Sequence, residues 1–398
     1  MRRGAGAVVT ALVVAVAAAG CTASAGLDRS GGSTSVAATS SAASPSPAPP
    51  SVSFAPADGS RSVRPDTPVV VTVAGGAVRT AQLATADGQR VQGRIDGSGG
   101  WQATGALKPA TRYTLKVTAT SDAGVSTTKT SSFTTLTPRA YNRVVLLPGD
   151  DWTVGVGMPV IATFASAVKN KDAAEKALTV SSSPKVKGAW RWVSSTEVQW
   201  RPERYWPSGT KVKVTAAMGG VELASGIWGR RTVTSSFSVG RTQISTVDVR
   251  KDTLTVRRDG KVIKVIPVTT GMTNSKPGFV TRGGVKVIMS REPSVRMDAA
   301  STGTDPKDPN YYNLVVHWAL RLTWSGEFLH AAPWSVSAQG RQNVSHGCTG
   351  MSDANAKWMY DHSQVGDVVV YQGSKRPIEP GNGYTAWNMS FSDWASRT

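Results

Sequence analysis

Residues 253–265 read Thr-Leu-Thr-Val-Arg-Arg-Asp-Gly-Lys-Val-Ile-Lys-Val. Apolar and polar side chains alternate on both sides of Asp259-Gly260. Such alternation is typical of strands that bury one face, and Asp-Gly is a preferred two-residue hairpin turn. The stretch therefore predicts a β-hairpin and indicates a mainly β fold.

Upstream of this hairpin, two segments resemble each other at a distance of about 100 residues, the size of an immunoglobulin-like sandwich. Residues 109–119 are echoed by residues 207–216, and residues 130–133 by residues 234–237. Both copies alternate with period two, which predicts strands that bury one face. Asp87-Gly88 is a further hairpin signal. We therefore expect two immunoglobulin-like β-sandwich domains before the hairpin.

Downstream of the hairpin lies the run Ser345-His346-Gly347-Cys348, which begins fifteen residues after His330. A thiol attacks as the thiolate, and an unperturbed cysteine with a pKa of about 8.5 is only slightly ionised at neutral pH. A nearby imidazole can take the proton, and a tight glycine turn can direct backbone N–H groups at an oxyanion. The pattern indicates an acyl-transfer enzyme that works through a thioester.

The spacing His330-x14-Ser345-His346-Gly347-Cys348 resembles the signature of the L,D-transpeptidases, whose YkuD-type domain cross-links bacterial peptidoglycan. The resemblance extends over roughly residues 241–398. Its further blocks are Lys276–Phe279, Met297-Asp298, Tyr312, Ser325–Trp334 and Ala338–Arg341. One departure is Gly350, which stands where many members carry Asn or Arg.

The residues and the resemblance together assign roles to the reactive side chains. Cys348 is the expected nucleophile and His330 the expected general base. The resemblance implies that the backbone carbonyl of Ala331 orients His330, and such a carbonyl can fix the imidazole tautomer without adding a charge. His346 is expected to orient the cysteine turn or to bond the substrate.

The remaining site residues are expected to shape the turn and the cleft. The backbone N–H groups of Gly347 and Cys348 are the expected oxyanion donors, and Ser345 is expected to hold the turn through bonds to the backbone. By resemblance Met297, Tyr312 and Trp334 line the substrate cleft, and the Tyr312 hydroxyl assists the oxyanion. The other two histidines, His317 and His362, are expected to be packed or solvated.

The resemblance implies cleavage of a tetrapeptide stem at an L-centre carbonyl, release of D-Ala and a 3→3 cross-link to a second stem, without a cofactor. It also implies that carbapenems acylate Cys348. The same thiol could serve an L,D-carboxypeptidase or an amidase. A non-catalytic wall-binding lipoprotein is an alternative from another class.

Two other uses of Cys and His are less favoured. His330, His346 and Cys348 could in principle bind zinc, but their spacing differs from the short clusters of structural zinc sites and no fourth ligand is evident, so we expect no metal. In papain-like and NlpC-type peptidases the cysteine precedes the histidine, whereas here His330 comes first.

The N-terminus indicates export. Arg2 and Arg3 precede a short apolar run that ends in Ala-Ala-Gly before Cys21. This is typical of a secretory signal, and a cysteine after small residues resembles a lipobox. We expect Cys21 to be lipidated, which would anchor the protein outside the membrane, facing the wall. A Ser-, Ala- and Pro-rich stretch follows and predicts a disordered tether.

The formal net charge is +19, with 45 Lys and Arg against 26 Asp and Glu. Basic proteins attract polyanions. Because no basic and aromatic motif of a nucleic-acid module is visible, we expect anionic cell-envelope polymers and no nucleic acid.

The third domain is predicted to be rich in strands, with one helix at residues 353–362 capped by Ser352, a strand at residues 365–371, and a tail anchored by Trp387 and Trp394. The expected organisation has six parts. They are a signal peptide at 1–20, the lipidated cysteine and tether at 21–50, immunoglobulin-like domains at 51–138 and 139–240, an L,D-transpeptidase-like catalytic domain at 241–373, and a tail that packs on it at 374–398.

Overall fold

The computed structural model of the chain describes residues 46–272, 277–302 and 304–396. Within these ranges the structure is mainly β, as predicted. The predicted signal peptide, Cys21 and most of the tether lie outside the described residues. No helix in the described ranges combines the length and the apolar character that a membrane span requires.

The first block forms two four-stranded sheets, in the orders β1-β2-β6-β5 and β4-β3-β7-β8. The strands are β1 (Ser51–Ala55), β2 (Val70–Ala74), β3 (Gly76–Thr85), β4 (Arg90–Val91), β5 (Gly93–Ile95), β6 (Trp101–Ala103), β7 (Arg112–Ser121) and β8 (Ser126–Thr134). Leu83, Trp101 and Leu115 belong to their common apolar core. The hairpin predicted at Asp87-Gly88 joins β3 to β4 and is confirmed.

The second block has sheets in the orders β10-β12-β15-β14, β11-β19-β16-β13 and β17-β18-β9. Its elements are β9 (Ala140–Asn142), β10 (Val144–Leu147), β11 (Thr153–Val154), β12 (Val160–Phe164), α1 (Lys171–Lys176), β13 (Leu178–Ser183), β14 (Gly188–Trp192), β15 (Glu197–Pro202), β16 (Lys211–Ala217), β17 (Glu222–Ala224), β18 (Ile227–Gly229) and β19 (Thr232–Val239).

The internal sequence similarity corresponds to a repeated strand pair. In the first block β7 pairs antiparallel with β8, and Tyr113 lies opposite Phe133. In the second block β16 pairs antiparallel with β19, and Val212 lies opposite Phe237. All four side chains are buried. The similar segments therefore form the same structural unit twice.

The third block has a five-stranded sheet in the order β22-β21-β20-β28-β23 and a four-stranded sheet in the order β24-β25-β26-β27. Its elements are β20 (Gln243–Asp248), β21 (Thr253–Arg258), β22 (Lys261–Pro267), β23 (Gly284–Val287), β24 (Ser290–Asp298), β25 (Asn313–Arg321), β26 (Phe328–Ala331), β27 (Thr349–Met351), α2 (Asp353–His362), β28 (Val368–Gln372) and α3 (Phe391–Ala395). Short 3-10 helices lie at Pro277–Phe279, Ala299–Thr302, Pro333–Ser335 and Ala386–Asn388.

Several local predictions for this block are confirmed. Asp259 and Gly260 have φ of 49° and 79° and connect β21 to β22, as the predicted two-residue turn requires. The predicted helix is α2, where the Ser352 hydroxyl accepts a hydrogen bond from Asn355 N–H at 3.3 Å. The last predicted strand is β28, which begins at Val368 rather than at residue 365.

The second and third blocks share one continuous apolar core, in which Val154 of β11 lies with Val287 of β23 and Val368 of β28. Gly155 N–H donates to Val365 C=O at 2.8 Å. A Cβ at residue 155 would lie 2.2 Å from the backbone nitrogen of Asp367, so this approach requires glycine. The third block is therefore fixed to the second block through a shared interior.

The C-terminal tail is expected to pack on the third block. Its first part does so, since Ile378 N–H donates to Gly283 C=O at 2.9 Å. However, the indole N–H of Trp387 donates to Gly157 C=O at 2.7 Å, and that of Trp394 donates to Ala189 C=O at 2.9 Å. Both expected anchors therefore hold the tail to the second block.

Arg201 of β15 completes this attachment. Its guanidinium lies 4.9, 5.4 and 5.3 Å from the ring centroids of Trp387, Phe391 and Trp394. It also donates to Met389 C=O at 2.8 Å. A buried cation among aromatic faces gains a favourable interaction with each ring. The tail thus bridges the two blocks.

Candidate active site

Parallel pairing of β26 with β27 brings the two reactive residues together. Their register places His330 opposite Gly350 and Leu329 opposite Thr349. Cys348 directly precedes β27, so an interval of eighteen residues in sequence becomes a short distance across two neighbouring strands. His330 and Cys348 line the same cavity.

His330 is buried, and its orientation is fixed by the backbone. Its Nδ1 lies 2.8 Å from the carbonyl oxygen of Ala331. A carbonyl can only accept, so Nδ1 carries the proton and Nε2 keeps its lone pair. Burial lowers the pKa of His330, which keeps the imidazole neutral at neutral pH. The ring can therefore accept a proton at Nε2.

The segment Ser345–Cys348 forms a tight turn that its own side chain holds. The Ser345 hydroxyl donates to Cys348 C=O at 2.6 Å and accepts from Gly347 N–H at 3.1 Å. Gly347 has a φ of 126°, in the region that favours glycine. The Thr281 hydroxyl supports the turn by donating to Gly347 C=O at 2.8 Å. Ser345 thus makes the turn contacts expected of it.

Of the two backbone N–H groups expected to bind the oxyanion, only one is available. The N–H of Gly347 already donates to Ser345, whereas no acceptor for the N–H of Cys348 lies among the described residues. Tyr312 also faces the cavity, and burial raises the pKa of its hydroxyl, which keeps it protonated. The Cys348 N–H and the Tyr312 hydroxyl are therefore available as donors at the cavity.

The thiol of Cys348 is protonated at rest. It donates to Gly326 C=O, with sulfur and oxygen 3.4 Å apart. Burial raises its pKa to about 12, although the Phe328 N–H and the positive charges of Lys286 and Arg321 oppose the shift. Cys348 and His330 are therefore both neutral at neutral pH, and nucleophilic attack by this sulfur would require a base to take its proton.

The cavity has a volume of about 300 Å³. It brings together most of the residues that the sequence singled out, namely Met297, Tyr312, His330, Trp334, Ser345, His346 and Cys348. Ala332 and Gly350, which the family resemblance had brought to attention, also line it, whereas sequence reasoning missed Thr269, Leu314, Val316, Ser335 and Val344. Leu314 and Val316 alternate along β25, and this period-two pattern could have placed them beside Met297.

His346 lies between two aromatic rings. Its centroid is 4.5 Å from that of Phe279, edge to face, and 5.1 Å from that of Tyr312. Burial lowers the pKa of His346, so the ring is neutral. Its Nε2 is buried without a hydrogen-bond partner in the described ranges of the chain. This nitrogen is suited to bond a polar group of a bound substrate.

Gly350 occupies the position where a longer side chain is common in the family that the sequence resembles. A Cβ there would lie 2.8 Å from Ala332 Cβ and 3.2 Å from Thr269 Cγ2. Both neighbours line the cavity, so a larger residue would have to displace its wall. The local packing therefore accounts for glycine at this position.

The two remaining histidines lie outside the cavity, as predicted. His317 is exposed on β25. His362 stacks on Trp358 at a centroid distance of 4.3 Å and bonds the Trp358 carbonyl through Nδ1 at 2.8 Å. No group of three or more His, Cys, Asp or Glu side chains within residues 46–272, 277–302 and 304–396 could hold a metal ion.

Comparison with known families matches two parts of the chain. Residues 242–370 match the L,D-transpeptidase catalytic domain, and residues 60–222 match the bacterial Ig domain. The first match contains the whole cavity, and the second runs from within the first β-sandwich block into the second.

Individual relatives match over most of the chain. It is 37% identical over 347 residues to L,D-transpeptidase 2 of Mycobacterium tuberculosis, which covers 87% of this chain and 84% of that protein. It is 31% identical over 353 residues to L,D-transpeptidase 5 of the same species, over 87% and 76%. Among solved structures, LD transpeptidase LdtMt1 in complex with imipenem matches with a TM-score of 0.50 and 36% identity, over 57% of this chain and 98% of that chain.

Proposed function

Since the chain belongs to the L,D-transpeptidase family, we propose that it forms 3→3 cross-links in peptidoglycan through a thioester on Cys348. The acyl donor is the L-centre carbonyl of a tetrapeptide stem, by family a meso-diaminopimelyl residue. The observation that carries the proposal is that His330 on β26 and Cys348, which directly precedes the parallel strand β27, line one cavity, with His330 Nδ1 bonded to Ala331 C=O.

In the first half-reaction the sulfur attacks the stem carbonyl while its proton passes to His330 Nε2. The Cys348 N–H and the Tyr312 hydroxyl stabilise the oxyanion. The C–N bond to D-Ala then breaks, and His330 returns the proton to the departing amine. The products of this step are a thioester and free D-Ala.

In the second half-reaction the side-chain amine of another stem attacks the thioester. His330 takes the proton of that amine as the C–N bond forms, and it passes the proton to the sulfur as the C–S bond breaks, which restores the thiol. The apolar cavity limits access of water, the competing acceptor, to the thioester. Met297 and Trp334 contact the donor stem, and His346 bonds it through the free Nε2.

A β-lactam carbonyl is an alternative acyl donor for the same thiol. A relative has been solved in complex with imipenem. We infer that carbapenems acylate Cys348 in this chain, because the ring carbonyl offers the same electrophile as the stem.

The proposed location is extracytoplasmic, with a lipid on Cys21 holding the protein at the membrane and the tether extending it toward the wall. The net charge of +19 suits the anionic polymers there. We expect the full-length chain to partition into a detergent phase and Cys21→Ala to remain in the aqueous phase. Equal partitioning of both proteins would contradict the lipid anchor.

The products of incubation with a purified stem tetrapeptide test the activity itself. A cross-linked dimer with equimolar free D-Ala is the expected result, measured by mass spectrometry. A monomeric tripeptide with free D-Ala would instead indicate an L,D-carboxypeptidase. Absence of both products would favour a wall-binding lipoprotein without catalysis.

A further inference from the structure

A buried cluster of three charges lies behind the cysteine turn, outside the cavity. The ammonium of Lys286, whose side chain is fully buried, lies 2.5 Å from one carboxylate oxygen of Glu327. The guanidinium of Arg282 lies 3.2 Å from the other oxygen. The same guanidinium also pairs with the carboxylate of Glu379 at 2.5 Å. A buried ion pair contributes little net stability compared with apolar packing, so stability alone does not explain it.

Glu327 is joined by the backbone to the group that bonds the thiol. The residue before it, Gly326, provides the carbonyl that accepts the Cys348 S–H. Glu327 N–H in turn donates to the Thr323 hydroxyl at 2.8 Å. The position of the carboxylate therefore fixes the position of the carbonyl beside the sulfur.

The same carboxylate holds the segment that supports the turn from the other side. Arg282 N–H donates to Glu327 at 2.9 Å, and the neighbouring Thr281 hydroxyl donates to Gly347 C=O at 2.8 Å. A Cβ on Gly347 would lie only 3.7 Å from the Glu327 carboxylate. Glu327 thus connects both supports of the cysteine turn.

Lys286 is also connected to the cysteine turn through the ring of Tyr371. Its ammonium lies 3.6 Å from the centroid of the Tyr371 ring. The Tyr371 hydroxyl is 2.7 Å from the hydroxyl of Thr349, the residue after Cys348. A cation beside the turn also favours negative charge on a sulfur in a low-dielectric interior.

We propose that Lys286 and Glu327 are positioning residues for Cys348. Glu327 fixes the Gly326 carbonyl and the Gly347 support, and Lys286 both holds Glu327 and offsets its negative charge so that the sulfur can become a thiolate. This inference rests on the proposed role of Cys348 as nucleophile.

The charges of Lys286 and Glu327 shift the pKa of the Cys348 thiol in opposite directions, as these two roles require. Burial is the main cause of its raised pKa; Glu327 raises the pKa further, whereas Lys286 and Arg321 lower it. Removal of Lys286 alone should therefore raise the pKa of Cys348. Removal of the charges of both Lys286 and Glu327 should leave that pKa close to its original position.

The test is the rate of alkylation of Cys348 by iodoacetamide between pH 7 and 10, in a His330→Gln background so that the thiolate alone reacts. We expect Lys286→Met to lower the rate about tenfold at each pH, which corresponds to a pKa increase of about one unit. The double variant Lys286→Met with Glu327→Gln should recover to within about threefold of the background.

Equal loss in the single and double variants, or no loss in either, would overturn the proposal. If Lys286→Met does not fold, the alkylation rate of the single variant Glu327→Gln tests the proposal. It keeps an oxygen for Arg282 N–H and removes the negative charge, so alkylation should accelerate, and a slower rate would refute the proposal. A background protein whose Cys348 is not alkylated at pH 10 would instead count against Cys348 as nucleophile.

Discussion

Replacement of Cys348 by alanine is expected to abolish the carbapenem adduct and to reduce dimer formation from the stem tetrapeptide by about 10³-fold or more. The reason is that the serine and threonine hydroxyls lining the cavity already donate to backbone carbonyls, as those of Thr269, Ser335 and Ser345 do. Intact-protein mass with and without a carbapenem measures the adduct, and thermal unfolding shows whether the variant is folded.

The matched control for this experiment is Cys21→Ala, which removes the other thiol of the chain. It should retain one full adduct of the same mass as the wild type. An adduct of equal yield on Cys348→Ala would show that another group is acylated, and the thioester mechanism would be wrong.

Local signals were sufficient for much of the third block. The hairpin at Asp259-Gly260 and the helix at Asp353–His362 depend on residues close in sequence, such as the turn pair and the Ser352 cap. The alternation of the β-sandwich blocks was equally local. These elements could be predicted because neighbouring residues alone determine them.

The proximity of His330 and Cys348 was predicted from the family motif and not from local sequence signals. The motif spacing and its family resemblance indicated it, but no local rule predicts that β26 and β27 pair in parallel. Ser345 was expected to bond the backbone of the turn, but that it would occupy the Gly347 N–H, one of the two expected oxyanion donors, depends on the shape of the turn and was not predicted.

Interactions between distant segments gave no signal in the sequence. Lys286 lies in an alternating strand, where a lysine normally indicates a solvent-facing position, and its partner Glu327 follows forty-one residues later. The tail was expected on the third block, yet Trp394 bonds Ala189 of the second. Both cases are contacts between residues far apart in sequence, and no pattern among neighbouring residues predicts such contacts.

Replacement of His330 by glutamine should lower the rate of acylation by a carbapenem by about 10²–10⁴-fold at pH 7, the usual contribution of a general base. Glutamine is of similar size and can still donate to the Ala331 carbonyl, but it cannot accept the thiol proton. The loss should therefore reflect catalysis rather than packing, and the second-order rate constant of acylation measures it.

The pH dependence distinguishes the base from a merely structural histidine. Because burial lowers the pKa of His330, the wild-type rate should stay constant from about pH 9 down through the usual histidine range near 6.5 and fall only at lower pH, where the imidazole becomes protonated. In His330→Gln only the thiolate reacts. Since the pKa of Cys348 is about 12, its rate should rise about tenfold per pH unit across the same range. Parallel profiles for the two proteins would contradict base catalysis by His330.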